Sequence, residues 1–288
     1  MTDRSLRRRD FISASSGLAA GSMLSTQAAP GPEQSILELP APKPGIRFAY
    51  GSSEVQFAEL RAPAGTGPHP VVLLVHGGYW RARYDLTHLG HLCEALTREG
   101  AATWSLEYRR IGDLGGGWPG SFDDVRAGAL YLKGIASERS LDLKRVVATG
   151  HSAGGQLALW LAKQQALALR GVIPLAAVSD LRRAWELRLS NAAAGEFLGG
   201  SPQNFPERYH AASPIEFLPL GLPQRILHGT VDNVVPIAMS RTYATAATRS
   251  GDDSKLVEIA GAGHFELIDP RSTAWPIVKS AVFDLLHG

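Results

Sequence analysis

Hydrophobic and polar positions fall into blocks along the chain. Residues 71–75, Val-Val-Leu-Leu-Val, are apolar without interruption, as a strand buried on both faces requires. Short runs at 48–50, 55–60, 101–108, 145–149, 171–178, 224–228 and 256–259 predict seven more strands. Between them the apolar residues shift to helical spacing. Leu89, Leu92 and Leu96 share one face of a helix over 86–98 that stops at Gly100. Further helices are predicted over 123–135, 153–165, 236–249 and 273–286, with Pro236 in a first turn. Repeated strand–helix units imply a mostly parallel central sheet with helices on both faces. The first two strands, joined by Gly51-Ser52-Ser53, read as a hairpin and hence an antiparallel edge. Residues 180–222 carry helical pieces with no strand between them. This helical insertion between strands 6 and 7 is expected to lie over the strands' carboxyl ends, as a lid or one wall of a cleft.

The chain has 288 residues, 44% hydrophobic and 19% charged, which suits one sizeable globular domain over 46–288. Residues 1–28 stand apart. Arg7-Arg8-Arg9-Asp10-Phe11 precedes a short, weakly apolar stretch rich in Ser, Gly and Ala, and Thr26 and Ala28 fit the small positions before a cut. This leader resembles a bacterial twin-arginine export signal, which implies a periplasmic or extracellular protein and transient contact with the export machinery. Its apolar run is too short for a membrane span. Residues 29–45 contain five prolines and read as a linker. The leader holds four arginines against two aspartates, and the whole chain carries a formal charge of +2, so the rest is balanced. A neutral body gives no electrostatic case for nucleic acid or an anionic membrane as partner. Cys93 is the only cysteine, which excludes an internal disulfide and a cysteine zinc site, and its helical context makes it a small buried apolar residue.

The chemistry concentrates in four loops that follow predicted strands. Gly150-His151-Ser152-Ala153-Gly154 sits between a strand and a helix. Flanking glycines permit a tight turn that lifts the serine hydroxyl to the sheet's upper edge, at a helix N-terminus whose positive end favours a developing anion. His76-Gly77-Gly78-Tyr79-Trp80 follows the 71–75 strand. The backbone amides of Gly78 and Tyr79, with that of Ala153, are candidates for holding an oxyanion, and His76 reads as a brace for the loop. Serine needs a base, and the base an orienting acid. Asp232, in His228-Gly229-Thr230-Val231-Asp232, and His264, in Gly261-Ala262-Gly263-His264, follow later strands in the order Ser, Asp, His.

Asp180, after a strand, and Asp269, close behind the histidine, are rival acids. His88, His91 and His210 lack metal-ligand spacing, and neither a metal nor a cofactor is expected. Asp123-Asp124 reads as a helix cap, Gly115-Gly116-Gly117 as a flexible turn, and Glu107 with Arg109 as an ion pair. Trp80, Trp118, Trp185, Phe197 and Phe265 lie in loops near the serine or in the insertion, so they are candidate walls of a substrate pocket. For Trp185 and Phe197 the alternative is that they pin the insertion to the body.

Taken together these motifs resemble the α/β-hydrolase superfamily over roughly residues 45–287. His76-Gly77-Gly78-Tyr79-Trp80 is similar both to carboxylesterases of the hormone-sensitive-lipase and feruloyl-esterase kind and to kynurenine formamidases. The 228–236 stretch looks like that of esterases and of prolyl-oligopeptidase-like enzymes. The resemblance implies an α/β-hydrolase fold and a serine hydrolase acting on a small-molecule acyl substrate. Carboxylic esters are the expected bond. An arylformamidase or other amidase, a prolyl-oligopeptidase-like peptidase, and an inactive binding protein on the same scaffold are the alternatives.

Overall fold

The structure is a computed structural model that describes residues 35–288. The leader at 1–28 and the start of the linker lie outside the described residues. Eight strands form one sheet: β1 Ile46–Ala49, β2 Phe57–Arg61, β3 His69–Val75, β4 Ala102–Leu106, β5 Leu141–His151, β6 Gly171–Leu175, β7 Gln224–Gly229 and β8 Ser254–Ile259. Their spatial order is β1-β2-β4-β3-β5-β6-β7-β8. The first two pairings, β1 with β2 and β2 with β4, are antiparallel, and all the others are parallel. The expected antiparallel edge and parallel body are both present. From β3 the chain turns to β4 on one side and returns to β5 on the other. Loops after β3 and β5 therefore part in opposite directions, which opens a crevice at the carboxyl ends.

Strand β3 shows why both faces are covered. Val71, Leu73 and Val75 pack into one core layer with α2 Gly120–Ile135 and α3 Ala153–Lys163. Val72 and Leu74 point the other way, into a layer with α1 Gly90–Arg98 and α8 Trp275–His287. All five are fully buried, which a period-2 strand achieves only when neither face meets water. In the second layer, burial pushes the Cys93 thiol up to about 11, in keeping with its apolar surroundings. The insertion holds α4 Leu181–Glu186, α5 Leu189–Leu198 and α6 Pro206–Ala212, and it adds no strand to the sheet. A 3-10 turn at Pro214–Phe217 packs it onto α3 and α7 Ile237–Arg249. Among the described residues no helix is long and apolar enough to cross a membrane.

Three local expectations change. The sixth strand ends at Leu175, not 178, because Ala176 turns to φ 45° and its amide bonds Leu227 O at 2.8 Å. Residues 176–179 remain buried, so their apolar character reads as strand although their backbone is a turn. The Gly-rich segment does turn at the surface, but Gly116 lies so close to the preceding loop that a β-carbon on it would sit 1.8 Å from Arg110 O.

Helix α2 starts at Gly120, three residues early, so Asp124 falls inside it and turns inward. Asp124 Oδ2 accepts from Arg109 N (2.9 Å) and Nε (2.8 Å), and Oδ1 from Arg109 Nη2 (2.7 Å) and Gln56 Nε2 (2.6 Å). Arg109 thus pairs with Asp124 and not with Glu107. Removing one partner of such a pair leaves a carboxylate buried without its counter-charge. The Arg109→Leu variant is expected to lose about 3 kcal/mol of stability in urea unfolding. A loss of under about 0.5 kcal/mol, the range of ordinary surface changes, would show that this pair does not hold α2 to the sheet.

Candidate active site

Each motif lands at a strand's carboxyl end. Ser152 links β5 to α3 at φ 57°, ψ −120°, a backbone region costly for any residue with a side chain. Its amide donates to Leu175 O at 2.8 Å, and its carbonyl accepts from Gly155 N (3.0 Å) and Val178 N (3.2 Å). The glycines around it are sterically required. A β-carbon on Gly150 would lie 2.2 Å from Gly154 O, one on Gly154 2.0 Å from Val75 O, and one on Gly155 2.7 Å from the Ala177 β-carbon.

The loop after β3 comes up against this elbow. A β-carbon on Gly77 would meet His151 O at 2.7 Å and the Ser152 β-carbon at 3.2 Å. Gly78, Tyr79 and Trp80 all have positive φ (102°, 50° and 56°), which curls the loop. Among the described residues the amides of Gly78, Tyr79 and Ala153 donate to no other protein group. Beneath the loop, His76 is buried and stacked on Tyr108, its Nε2 3.0 Å from Glu107 Oε1. Glu107 also pairs with Arg110 at 2.9 Å and accepts from Leu86 N at 2.9 Å. His76 therefore braces the loop from below. Tyr79 Oη donates to Val234 O at 2.9 Å, tying the loop to the one that follows β7. Burial, with the Asp232 charge second, pushes the Tyr79 phenol up to about 12, so it stays a donor.

After β7, Asp232 Oδ1 accepts from Val234 N (2.8 Å) and Val235 N (2.9 Å), a turn closed on the carboxylate. Oδ2 lies 2.6 Å from His264 Nδ1 and 3.2 Å from His228 Nε2. Burial alone would push this carboxyl up. The hydrogen bonds from His228 and His264 outweigh it and hold Asp232 well below the ordinary carboxylate range. His264 Nδ1 is thereby the donor, which leaves Nε2 with the free lone pair in the neutral ring. The rival acids are engaged elsewhere: Asp180 caps α4 through Arg183 N at 2.9 Å, and Asp269 pairs with Arg271 at 2.7 Å.

A cavity of about 360 Å³ opens onto both Ser152 and His264, with Gly78, Tyr79, Tyr84 and Phe265 in its lining. Ser190 brings the insertion to its edge. No hydrogen bond joins the Ser152 hydroxyl to His264 among the described residues. A neighbouring cavity of about 270 Å³ shares Arg83, Tyr84 and His88 but reaches neither Ser152 nor His264. Of the five aromatic residues expected as walls, Phe265 alone lines the larger cavity. Trp80 and Phe197 are buried, stacked on each other with ring centres 4.5 Å apart, and Trp80 Nε1 donates to Gln156 at 3.0 Å. Trp118 packs edge-on against Phe122, and Trp185 lies against Gly195 of α5. These four pin the insertion and neighbouring loops to the core, because flat apolar rings gain more from dry packing than from a partly wet cleft.

Three histidines beside the site had no assigned role from sequence. His228, four residues before Asp232, was visible only as part of its motif. His151 occupies the variable position of the elbow, and its Nδ1 lies 2.8 Å from His88 Nε2. His88 carries no local signal at all.

The BD-FAE family model matches residues 60–246. Among solved structures, a truncated carbohydrate esterase from gut microbiota is similar with a TM-score of 0.74 at 19% identity, over 86% of this chain and 98% of that one. Esterase B from Lactobacillus rhamnosis gives 0.72 at 19% identity, over 83% of each chain. Thermogutta terrifontis esterase 2, phosphonylated by sarin, gives 0.69 at 22% identity, over 84% of this chain and 94% of that one. At such identities the likeness carries the fold. No curated protein matches the chain by sequence.

Asp232 generates a pH prediction. A carboxyl held below its unfolded pKa of about 3.9 contributes stability that is full above that value and is lost as pH falls below it. Urea unfolding is expected to show a stability gap between wild type and Asp232→Asn that is full at about pH 5–7 and narrows below about pH 4. A gap that stayed constant down to about pH 2 would mean that His228 and His264 do not favour the ionised carboxylate.

Proposed function

The chain belongs to the BD-FAE family, a family of α/β-hydrolases, and on that premise we propose that it is a serine hydrolase cleaving carboxylic esters through an acyl-enzyme. One observation carries the reading: Ser152 and His264 face one cavity, and His264 Nδ1 is 2.6 Å from the buried Asp232 carboxylate. In this reading Ser152 Oγ attacks the acyl carbon while His264 Nε2 takes its proton. Asp232 holds the ring in the required tautomer and stabilises the imidazolium that forms. The carbonyl oxygen becomes an oxyanion held by the amides of Gly78, Tyr79 and Ala153. His264 returns the proton to the departing alkoxide, which leaves as the alcohol. Water, deprotonated by the same nitrogen, then releases the acid and regenerates Ser152. The serine–histidine hydrogen bond that this requires is one that tightens on substrate binding in such sites.

The cavity's small volume and aromatic rim support a short or aryl acyl group over a long chain. Ser152→Ala is expected to fold and to lose at least about 10⁴-fold in kcat, since only binding and oxyanion stabilisation remain. Ester hydrolysis at near wild-type rate by that variant would sink the reading. For the native enzyme, kcat/KM on a short aryl ester is expected to exceed that on a long-chain ester, a peptide anilide or N-formylkynurenine. A win for the anilide or the formamide would replace ester hydrolysis by peptidase or formamidase activity.

We further propose that residues 1–28 are a twin-arginine export signal, so that the enzyme works outside the cytoplasm. The ordered charge, apolar stretch and small residues of that segment support this. A reporter fused to residues 1–35 is expected in the periplasm, and Arg8→Lys combined with Arg9→Lys is expected to keep it in the cytoplasm. Unchanged export of the double variant would exclude this route.

A further inference from the structure

The residue just before the nucleophile reaches across to the base, and we propose that His151 is a positioning residue that fixes His264 relative to Ser152. The inference rests on the serine-hydrolase reading above. His151 is fully buried, and its Nε2 lies 2.9 Å from the main-chain oxygen of His264. A carbonyl only accepts, so this nitrogen carries the proton and His151 donates. A neutral ring with its proton on Nε2 has a lone pair on Nδ1. His88 Nε2, 2.8 Å away, must therefore be the donor to it. The result is a one-way chain from His88 through His151 to the His264 carbonyl. Burial pushes His151 well below its ordinary value and His88 down to about 3, which favours the neutral rings that this direction of the chain needs. The His151 ring also packs on His264 with centres 4.3 Å apart, and Phe265 lies 5.9 Å from it.

This bond supplies what the sheet alone does not. Asp232 grips the His264 ring through Nδ1, but it comes from the loop after β7. The main chain at His264 follows Gly261-Ala262-Gly263, a segment with φ 73° at Gly261. Without a second anchor its position relative to β5 would depend on two intervening strands. His151 removes that dependence because it is bonded covalently to Ser152. An error of about 1 Å between nucleophile and base costs roughly 10²-fold, which sets the scale of the effect.

The test uses leaving groups. His264 must give a proton to a departing alkoxide, whereas a nitrophenolate leaves without one, so a displaced His264 harms alkyl esters more than aryl esters. A core defect that lowers the folded fraction harms both alike, and the ratio of the two rates is independent of that fraction. His151→Asn keeps a polar group near the Nδ1 position but cannot reach the His264 carbonyl; His151→Gln can. In the full chain, His151→Asn is expected to lower kcat on an ethyl ester by about 10²-fold and on the p-nitrophenyl ester of the same acid by about tenfold or less, with KM within about twofold. His151→Gln is expected to restore most of the alkyl-to-aryl ratio. Equal losses on both esters, or unchanged kcat in His151→Asn, would overturn the inference. Ser152→Ala measured alongside separates the two levels. Activity surviving in Ser152→Ala defeats the serine mechanism itself. An inactive Ser152→Ala beside an unaffected His151→Asn defeats only the role given to His151.

Discussion

A single backbone conformation, that of Ser152 at φ 57° and ψ −120°, sets the terms for the rest of the molecule. Such a conformation costs on the order of 1–3 kcal/mol and persists only where its surroundings over-determine it. Here they do so by contact from three strands. The Ser152 amide is held by the last residue of β6, and its carbonyl by Val178 beyond that strand. Gly154 lies so close to Val75 and His76 that no β-carbon fits, which brings the end of β3 against α3. Gly155 similarly admits Ala177, which follows directly on the turn at Ala176 that ends β6. The turn that exposes the serine is therefore also the joint at which β3, β5 and β6 are locked together.

Polar groups buried beneath the elbow extend the same joint outward. Glu107, 2% exposed at the end of β4, would be costly without partners. It has His76 from the loop after β3, Arg110 from the loop after β4, and the amide of Leu86 at the start of the 3-10 turn that leads into α1. From the top of that loop Tyr79 reaches the segment after β7. Arg81 reaches the insertion, pairing with Glu196 at 2.7 Å and donating to Ser190 O at 2.9 Å. One loop thus touches Ser152, the loop that holds Asp232 and the insertion, so a shift in it is felt at all three.

What the sequence disclosed and what it hid divide along physical lines. The uninterrupted run at 71–75 could only be a two-faced strand, and the glycines around Ser152 announce a turn with no room for side chains. The meeting of Asp232 with His264 was legible because loop, strand and chain order coincide at Asp232. The end of β6 was not, since a buried turn and a buried strand share the same apolar composition. Trp80 and Trp118 were misplaced for a related reason, while for Trp185 and Phe197 the alternative reading, that they pin the insertion, is the one their packing supports. An aromatic residue in a loop near the serine looks the same whether its ring faces the cleft or the core, and Trp80 stacked on Phe197 faces the core. Asp124 differs from a cap only by three residues in where α2 begins. The link between His88 and His151 spans 63 residues, and that between His151 and His264 spans 113. No local pattern encodes either.

The proposed chemistry gives a reason for that crowd of histidines. A base that accepts a proton from serine becomes positive in a confined, weakly polar space, where a second cation would repel it strongly. Lysine or arginine at position 151 could donate to the His264 carbonyl equally well, but each would bring such a charge. Serine or asparagine would be neutral but too short to span from the elbow. A buried imidazole, like the amide of His151→Gln, satisfies both demands: it reaches, it donates, and desolvation keeps it uncharged. The requirement passes to its neighbour, because a charged His88 would do the same harm from 2.8 Å further along the chain, and burial keeps His88 neutral as well. Asp232 is then left as the counter-charge hydrogen-bonded to His264, the condition under which its carboxylate most favours the imidazolium.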